Sequence, residues 1–392
     1  MELPEGTQSA RVMRGDEFIL RDPTRSAPRV GSAMRDARLP VFGAVRGTGC
    51  RAAWLRVGPH AWICADNLQL SSGPPVPAAL KSFAPSPDGL PFSYYFVGQN
   101  GSFGYKDARL VDIGTPAMQL EPGFAVAIVE TRAIDGETYG RTGNELWVPM
   151  RDLVPVRPSS FKGSDIADGE RAGAKAKFAW VVAKSAPIYA AATTARPVGR
   201  SIAQLVRVDI AEDDASGKFV RVGEGHWLAT KDLRRPTFEG APTDVDVASG
   251  ERWIDVELET QTLVAWEGDR PVFATLVSSG KGKQGTYNQT PKGIHRIWVK
   301  LLSSNMDNLE DENASRWYRM ENVPYVQYFS KGVGLHGAFW HRSFGNVRSH
   351  GCVNLTPLDA QRLFWFTEPR LPAGWTAVLP SPVAVGTLVR VR

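Results

Sequence analysis

The feature that most constrains the fold is a short phrase that occurs three times in the N-terminal part of the chain. In each copy an aromatic residue is followed by a glycine, then a tryptophan and then an Asx-Leu pair, always at the same spacing. The copies are WLRVGPHAWICADNL from Trp54, YGRTGNELWVPMRDL from Tyr139 and FVRVGEGHWLATKDL from Phe219. An aromatic strand that enters a glycine turn and returns through a tryptophan strand is typical of a tight antiparallel hairpin. The repeat therefore predicts a chain built mainly from short β-strands.

The repeated phrase resembles the closing strands of bacterial SH3-like domains, which are small β-barrels. The third copy is also preceded by SAPIYAAATTARPVGRS, which resembles the opening of such a domain. This resemblance implies three SH3-like modules at residues 10–72, 90–157 and 172–236. We expect their tryptophans to lie in the core or wall of each barrel, because a small barrel needs that buried area. In the alternative interpretation, these tryptophans are exposed platforms that bind a ligand.

Stretches rich in Pro, Gly and Ser follow the three repeats, beginning at Ser71, Pro155 and Arg235. We interpret them as linkers, because Pro and Gly disrupt both helices and strand ladders. A fourth domain is expected at residues 251–382, where RWIDVELETQTLVAW alternates apolar and polar residues as half-buried strands do. A chain of 392 residues is long enough for these several units.

The composition excludes some classes of function. Apolar residues make up 43% of the chain, but none of its apolar runs is long enough to cross a bilayer as a helix. The net charge of +5 suits an anionic partner such as a bacterial cell wall. Basic and acidic residues are interspersed, which argues against nucleic-acid binding. The opening residues, MELPEGTQSARVM, lack a secretory signal, so an envelope location would need a signal peptide that this sequence does not contain.

The segment LHGAFWHRSFGNVRSHGCVNL, from Leu335, contains three of the six histidines and one of the three cysteines. A thiol attacks a carbonyl only as the thiolate, so a nucleophilic cysteine needs a base or a positive field. His336 and His350 are candidate proton acceptors for Cys352, and Gly351 permits a sharp turn beside it. A helix is predicted immediately afterwards, with Thr356 as its N-cap, Pro357 at its first position and Asp359 at a capping-box spacing.

Two other interpretations of this segment remain open. His336, His341, His350 and Cys352 could supply a tetrahedral N/S metal site, although their spacing follows no common zinc pattern. Each of these residues could also be an ordinary buried side chain. The clustering favours nucleophilic catalysis over both.

The pair His336-Gly337, followed after a short interval by SHGCVN at 349–354, resembles the catalytic motif of L,D-transpeptidases of the YkuD (ErfK) type. The likeness extends over roughly residues 252–380 and includes TPKGIHRI, VPYVQYF and the Gly374-Trp375 pair. It implies a mainly β sandwich or barrel with a short helix after the nucleophile. It also implies an enzyme that needs no cofactor and no metal.

The resemblance assigns roles to the residues of the motif. Cys352 would be the nucleophile and His336 its general base, while the N–H groups of Gly351 and Cys352, with His350, would hold the oxyanion. The implied substrate-binding positions are Gly337, His341, Arg342, Arg348, Ser349 and Asn354. His341 would either support its loop or contact substrate.

The implied substrate is a peptidoglycan stem tetrapeptide that ends in a diamino acid and D-Ala. Attack on the third residue would release D-Ala and leave a thioester, which an amine of a neighbouring stem would convert into a 3-3 cross-link. Hydrolysis of the same thioester would instead make the chain an L,D-carboxypeptidase, and a non-catalytic wall-binding protein is a further alternative. Carbapenem-type β-lactams are implied as covalent inhibitors.

Two expectations concern other segments. Cys50 and Cys64 lie on opposite arms of the first hairpin, where a disulfide is plausible and would agree with an oxidising cell envelope, periplasmic or extracellular. The polar stretch from Leu301 to Met320 is either a lid over the cleft or a solvated loop.

Overall fold

The computed structural model describes residues 3–76, 87–111, 113–193, 196–308 and 317–392. Strands dominate these residues, and they contain one α-helix, so the prediction of a mainly β chain is confirmed. Within these ranges no helix combines the length and apolar character needed to cross a membrane. Part of the first predicted linker (77–86) and the middle of the proposed lid (309–316) lie outside the described residues.

The strands of the first two repeats alternate with short 3-10 turns at Ala65–Asn67, Ala108–Leu110 and Met150–Asp152. The first region contains β1 (Ser9–Val12), β2 (Glu17–Leu20), β3 (Arg29–Ala33), β4 (Arg38–Pro40), β5 (Gly43–Val45), β6 (Trp54–Gly58), β7 (Ala61–Cys64) and β8 (Leu68–Ser71). The second contains β9 (Ser93–Val97), β10 (Ser102–Gly104), β11 (Met118–Leu120), β12 (Ala125–Ile134), β13 (Glu137–Thr142), β14 (Trp147–Pro149) and β15 (Leu153–Pro155).

The third repeat has a 3-10 turn at Thr230–Asp232. Short strands precede it: β16 (Ser164–Asp165), β17 (Arg171–Ala172) and β18 (Lys175–Ala176). Its own strands are β19 (Phe178–Val181), β20 (Ser185–Tyr189), β21 (Pro197–Ala203), β22 (Arg207–Asp209), β23 (Glu212–Asp213), β24 (Phe219–Gly223), β25 (His226–Ala229) and β26 (Leu233–Arg234).

The remaining strands and the helix follow residue 251. They are β27 (Arg252–Glu257), β28 (Thr262–Glu267), β29 (Arg270–Leu276), β30 (Gly293–Arg296), β31 (Val299–Asp307), β32 (Arg319–Ser330), β33 (Val333–Gly337), β34 (Val353–Leu355), α1 (Pro357–Phe366), β35 (Trp375–Val378) and β36 (Leu388–Val391). β36 pairs with both β27 and β30, so this region extends beyond the predicted end at residue 382. The expected lid begins inside β31 and ends inside β32.

The three repeated phrases form hairpins with one register. The opening aromatic of each phrase pairs with the residue ten positions later, and an arginine two positions after the aromatic pairs with the tryptophan. The pairs are Trp54 with Cys64, Tyr139 with Pro149 and Phe219 with Ala229, then Arg56 with Trp62, Arg141 with Trp147 and Arg221 with Trp227. Each hairpin leads into a 3-10 turn that ends at the Asx residue, so the sequence repeat is also a structural repeat.

The first and third modules also share a strand order. The first has the sheets β4-β1-β8 and β3-β2-β7-β6-β5, and the third has β22-β19-β26 and β21-β20-β25-β24-β23. In the second module the long β12 takes two roles, because its first half pairs with β9 and its second half with β13, with a bulge between Ile128 and Glu130. Among the described residues no closed barrel is found, and the SH3-like assignment of these modules is not confirmed.

The chain divides into two compact units that cut across the predicted domains. Unit 1 comprises Met1–Pro158, Val299–Val326 and Pro369–Ala384, and unit 2 comprises Ser159–Trp298, Gln327–Glu368 and Val385–Arg392. Within unit 1, β35 pairs with β3 of the first module and with β31. Residues on the C-terminal side of 251 therefore complete the sheet of unit 1.

The core of unit 2 corrects the interpretation of two linkers. One apolar cluster contains Trp180 of the third module together with Trp253 and Trp266, which stack at 5.0 Å between ring centroids. Phe161 and Phe238, from the segments interpreted as linkers, are buried in the same cluster. Large aromatic side chains thus help to fix both segments to the core, which their Pro and Gly content does not reveal.

Candidate active site

Two neighbouring parallel strands carry the predicted catalytic residues. β33 pairs with β34 in a register that places His336 opposite Asn354, and Cys352 lies two residues before Asn354. β33 also pairs with the end of β32, at Gln327, on its other side. The histidine is thus held on a central strand, while the cysteine lies in the turn that leads into β34.

Cys352 is a free cysteine with partial solvent exposure. Its thiol is 3.6 Å from the carbonyl oxygen of Gly332, to which it donates. Burial raises the pKa of the Cys352 thiol, and a hydrogen bond from the Gly334 backbone N–H acts in the opposite direction. Because burial is the larger effect, the resting cysteine is a thiol at neutral pH.

His336 is only 2% exposed. Its Nδ1 lies 3.2 Å from the carbonyl oxygen of Gly337, which can only accept, so the proton of the neutral ring is on Nδ1. Burial lowers the pKa of His336 to about 4. The ring is therefore neutral at pH 7, and Nε2 carries the lone pair that a general base requires.

These two directions exclude a resting ion pair. A raised thiol pKa and a lowered imidazole pKa both favour the uncharged forms of Cys352 and His336.

The turn before Cys352 is fixed by short polar contacts. Ser349 Oγ accepts from the Gly351 N–H at 3.1 Å and donates to the carbonyl oxygen of Cys352. Thr290 Oγ1 donates to the Gly351 carbonyl at 2.6 Å and accepts from the Gly280 N–H at 2.9 Å. Gly351 has a φ of +131°, a conformation that favours glycine. Its N–H is used by Ser349, which differs from the expected oxyanion role.

His341 and Asn354 lie in the interior, not on the surface of a pocket. The Asn354 amide is 3.0 Å from His341 Nε2, and His341 Nδ1 accepts from the Ser343 N–H at 3.2 Å. Burial, aided by the charge of Arg348, lowers the pKa of His341 to about 3. These contacts connect His341 to Ser343 of its own loop and to Asn354 of β34.

The other predicted positions are distributed between surface and interior. Arg342, Arg348 and His350 are exposed, whereas Gly337 and Ser349 are buried. The Arg348 and Ser349 N–H groups both donate to the carbonyl oxygen of Ser279, which anchors this segment to the loop after β29.

Two residues near the site were not singled out from the sequence. Trp340 stacks on the His336 ring at 5.7 Å between centroids and 29° between planes, so it covers one imidazole face. Thr290 connects the loop before β30 to the turn of the nucleophile. Thr290 belongs to the TPKG phrase of the resemblance, and Trp340 lies inside AFWH, but neither phrase indicates these contacts.

The helix that follows Cys352 begins as predicted. Thr356 caps α1 by accepting from the Asp359 N–H at 3.3 Å, and Pro357 is its first residue. The Asp359 carboxylate accepts from the Gly163 N–H at 2.9 Å and from the Thr275 hydroxyl. Burial raises the pKa of Asp359 to about 6.

The metal alternative has little geometric support. In the described ranges, the one group of three potential ligand side chains with atoms within 4.8 Å of one another is Cys50, Cys64 and Asp66. Its two cysteines form a disulfide, as the sequence suggested. His341 uses both ring nitrogens in contacts within the chain.

The comparisons with known proteins agree with the motif. The YkuD family model, described as the L,D-transpeptidase catalytic domain, matches residues 251–391. Residues 251–391 are therefore similar to the L,D-transpeptidase catalytic domain of the YkuD family. The family match covers less than half of the chain. The search of curated proteins found no match to this chain.

Several solved structures are similar to this chain at low identity. A mutant of the Enterococcus faecium L,D-transpeptidase is 22% identical, covers 36% of this chain and 50% of its own, and has a TM-score of 0.27. The L,D-transpeptidase from Mycobacterium smegmatis is 19% identical, with coverages of 47% and 81% and a TM-score of 0.28. The E. faecium catalytic domain acylated by ertapenem is 26% identical, with coverages of 33% and 97% and a TM-score of 0.25.

These TM-scores are too low to carry a structural argument, so the family match carries the assignment. The chain spans half the length of the E. faecium structure.

Proposed function

We propose that the chain is a peptidoglycan L,D-transpeptidase in which Cys352 is the nucleophile and His336 the general base. The observation that carries this proposal is the buried, neutral imidazole of His336, whose Nε2 is left to accept a proton on the strand beside the cysteine. The family match over residues 251–391 supports the reaction class.

In the proposed acylation step, Cys352 Sγ attacks the carbonyl carbon of the third stem residue while its proton passes to His336 Nε2. The carbonyl oxygen becomes an oxyanion, for which the Cys352 N–H and the exposed His350 are the proposed donors. When the intermediate collapses, the C–N bond to D-Ala breaks and His336 returns the proton to the leaving amine. A thioester on Cys352 remains.

The second step regenerates the thiol. An amine of a neighbouring stem attacks the thioester, His336 takes the amine's proton, and the sulfur leaves and is reprotonated. The product is a 3-3 cross-link. Water in place of the amine gives the L,D-carboxypeptidase reaction, which shares the same acyl-enzyme.

Neutral resting groups suit this chemistry. A permanently ionised sulfur would be stabilised in the ground state, whereas a thiol that loses its proton during attack gains that stabilisation only in the transition state. The exposed Arg342 and Arg348 are proposed partners for substrate carboxylates. The buried Ser349 and Asn354 are proposed to shape the site from behind.

The cell envelope is the proposed location, because peptidoglycan lies there and because Cys50 and Cys64 form a disulfide. The three N-terminal modules are proposed to be SH3-like and to bind or orient on the wall polymer. Their shared hairpin register supports a common origin of the three.

The test is acyl transfer by the full chain from a disaccharide-tetrapeptide to an amine acceptor, followed by mass spectrometry of the products. The wild type should release D-Ala and form the cross-linked or the hydrolysed product. Cys352→Ala should abolish both products while the protein keeps its circular dichroism spectrum. Retention of either product by Cys352→Ala would contradict the proposal.

A further inference from the structure

An exposed tryptophan lies next to the nucleophile and is not used by the proposed mechanism. Trp298, in the loop between β30 and β31, is 47% exposed. One face of its indole stacks on Tyr328 at 5.8 Å between centroids and 21° between planes. Its Nε1–H donates to the Lys331 carbonyl at 3.1 Å, and its backbone N–H donates to the Tyr328 carbonyl at 2.9 Å. The ring is therefore fixed, with its other face toward solvent.

This ring is close to the reacting sulfur. Lys331, which accepts from the indole, precedes Gly332, and the Gly332 carbonyl oxygen is 3.6 Å from Cys352 Sγ. The carbonyl oxygens of Lys331 and Gly332 belong to adjacent residues and are separated by about the length of one residue. Together with the two contacts above, this places the indole nitrogen within about 10 Å of the sulfur.

We propose that Trp298 is a stacking platform for an amino-sugar ring of the glycan strand that carries the stem peptide. This inference rests on the proposed function and specifies the substrate of the same site. The attacked carbonyl belongs to the third stem residue, so the sugar begins two residues further away. An extended peptide of that length spans about 7–11 Å, which matches the separation of Trp298 from Cys352.

The chemistry of the ring favours a sugar as its ligand. An indole offers a large flat apolar face, and the axial C–H groups of a pyranose form a matching flat surface. Tyr328 and Lys331 already hold the ring in place, so little side-chain entropy is lost when a ligand stacks on it. A free stem peptide would not reach this face with a comparable surface.

The test compares two substrates of the full chain: the disaccharide-tetrapeptide and the same tetrapeptide without sugar. Trp298→Ala should lower kcat/KM for the disaccharide-tetrapeptide about five- to tenfold more than for the free peptide. Trp298→Phe, which keeps an aromatic face, should recover part of that difference. Trp365→Ala is the matched control, since Trp365 is 44% exposed on α1, and it should not change the ratio.

The outcomes separate this inference from the proposed function. An equal fall for both substrates in Trp298→Ala would overturn the inference, because it would indicate a purely structural role. A Trp298→Ala variant that keeps the wild-type kcat/KM for both substrates would overturn it as well. A folded wild-type chain that consumes neither substrate would overturn the proposed function itself, and the inference with it.

Discussion

The first module and the active-site region stabilise their turns by different means. In the first module, the disulfide between Cys50 and Cys64 ties the loop before β6 to the end of β7, and the buried Trp54 packs against it. In the active-site region, buried polar groups such as Thr290 and Ser349 hold the turn before Cys352 through hydrogen bonds. The first arrangement depends on a covalent bond and apolar area, and the second on hydrogen bonds beside the buried His336.

This difference connects stability with chemistry. A buried imidazole that must stay neutral costs stability in acid, but it provides a base with a free lone pair. The disulfide region contributes no such group. The burial that lowers the pKa of His336 therefore also makes the stability of unit 2 sensitive to acid.

The largest expected effect comes from removing the proposed base. His336→Asn keeps a polar side chain but cannot accept the thiol proton, so acylation should slow by about 10²–10⁴-fold. Stopped-flow acylation by a carbapenem measures this rate. The matched control is His295→Asn, because His295 Nε2 also contacts a backbone carbonyl, that of Pro291, and lies outside the proposed machinery. A loss of less than threefold in His336→Asn would contradict the role of this residue.

Removal of the disulfide should sharpen the comparison. Replacing Cys50 and Cys64 by Ala, the residue that the third module has at the register position of Cys64, frees a short loop in the unfolded chain. We expect a loss of about 2–4 kcal/mol in the free energy of unfolding of unit 1. Denaturant unfolding followed by hydrogen exchange in each unit measures the effect, and carbapenem acylation should persist. A decrease in the free energy of unfolding that is confined to unit 2 would contradict the comparison.

The smallest expected effect is the pH dependence of the stability of unit 2. The pKa values of His336 and His341, about 4 and about 3, lie below the ordinary histidine value, so their contribution is present above pH 6.5 and is lost as pH falls. The pKa of Asp359, about 6, is raised, so this residue opposes the loss between pH 6 and 4. The unfolded state binds two more protons at the histidines, and the folded state binds one more at Asp359. The free energy of unfolding of unit 2 therefore decreases by about 1.4 kcal/mol for each pH unit of acidification in that window. Hydrogen exchange in unit 2 at pH 6 and pH 4.5 should show this loss, and greater protection at the lower pH would contradict it.

Much of the fold and part of the site can be predicted from the sequence. The repeated hairpins, the mainly β class and the helix capped by Thr356 all follow local rules, because their signals lie within about fifteen residues. The burial of Phe161 and Phe238 and the pairing of β35 with β3 depend on contacts between distant segments. Local composition carries no information about those contacts.

The site shows the same limit. Cys352 and His336 are marked by residue type and by a motif, but the contact of Thr290 with Gly351 joins residues that are far apart in the chain. The protonation states of the pair also could not be predicted, because they depend on burial. The sequence indicates only that a nucleophilic cysteine needs a base or a positive field, whereas the buried environment favours a thiol at rest.

The most direct test of the central claim is intact-mass spectrometry of the full chain after incubation with a carbapenem, followed by peptide mapping. We expect one covalent adduct, located on Cys352, in the wild type and none in Cys352→Ala. An adduct at another residue, or a folded wild-type protein that stays unmodified after prolonged exposure, would contradict the assignment of Cys352 as the nucleophile.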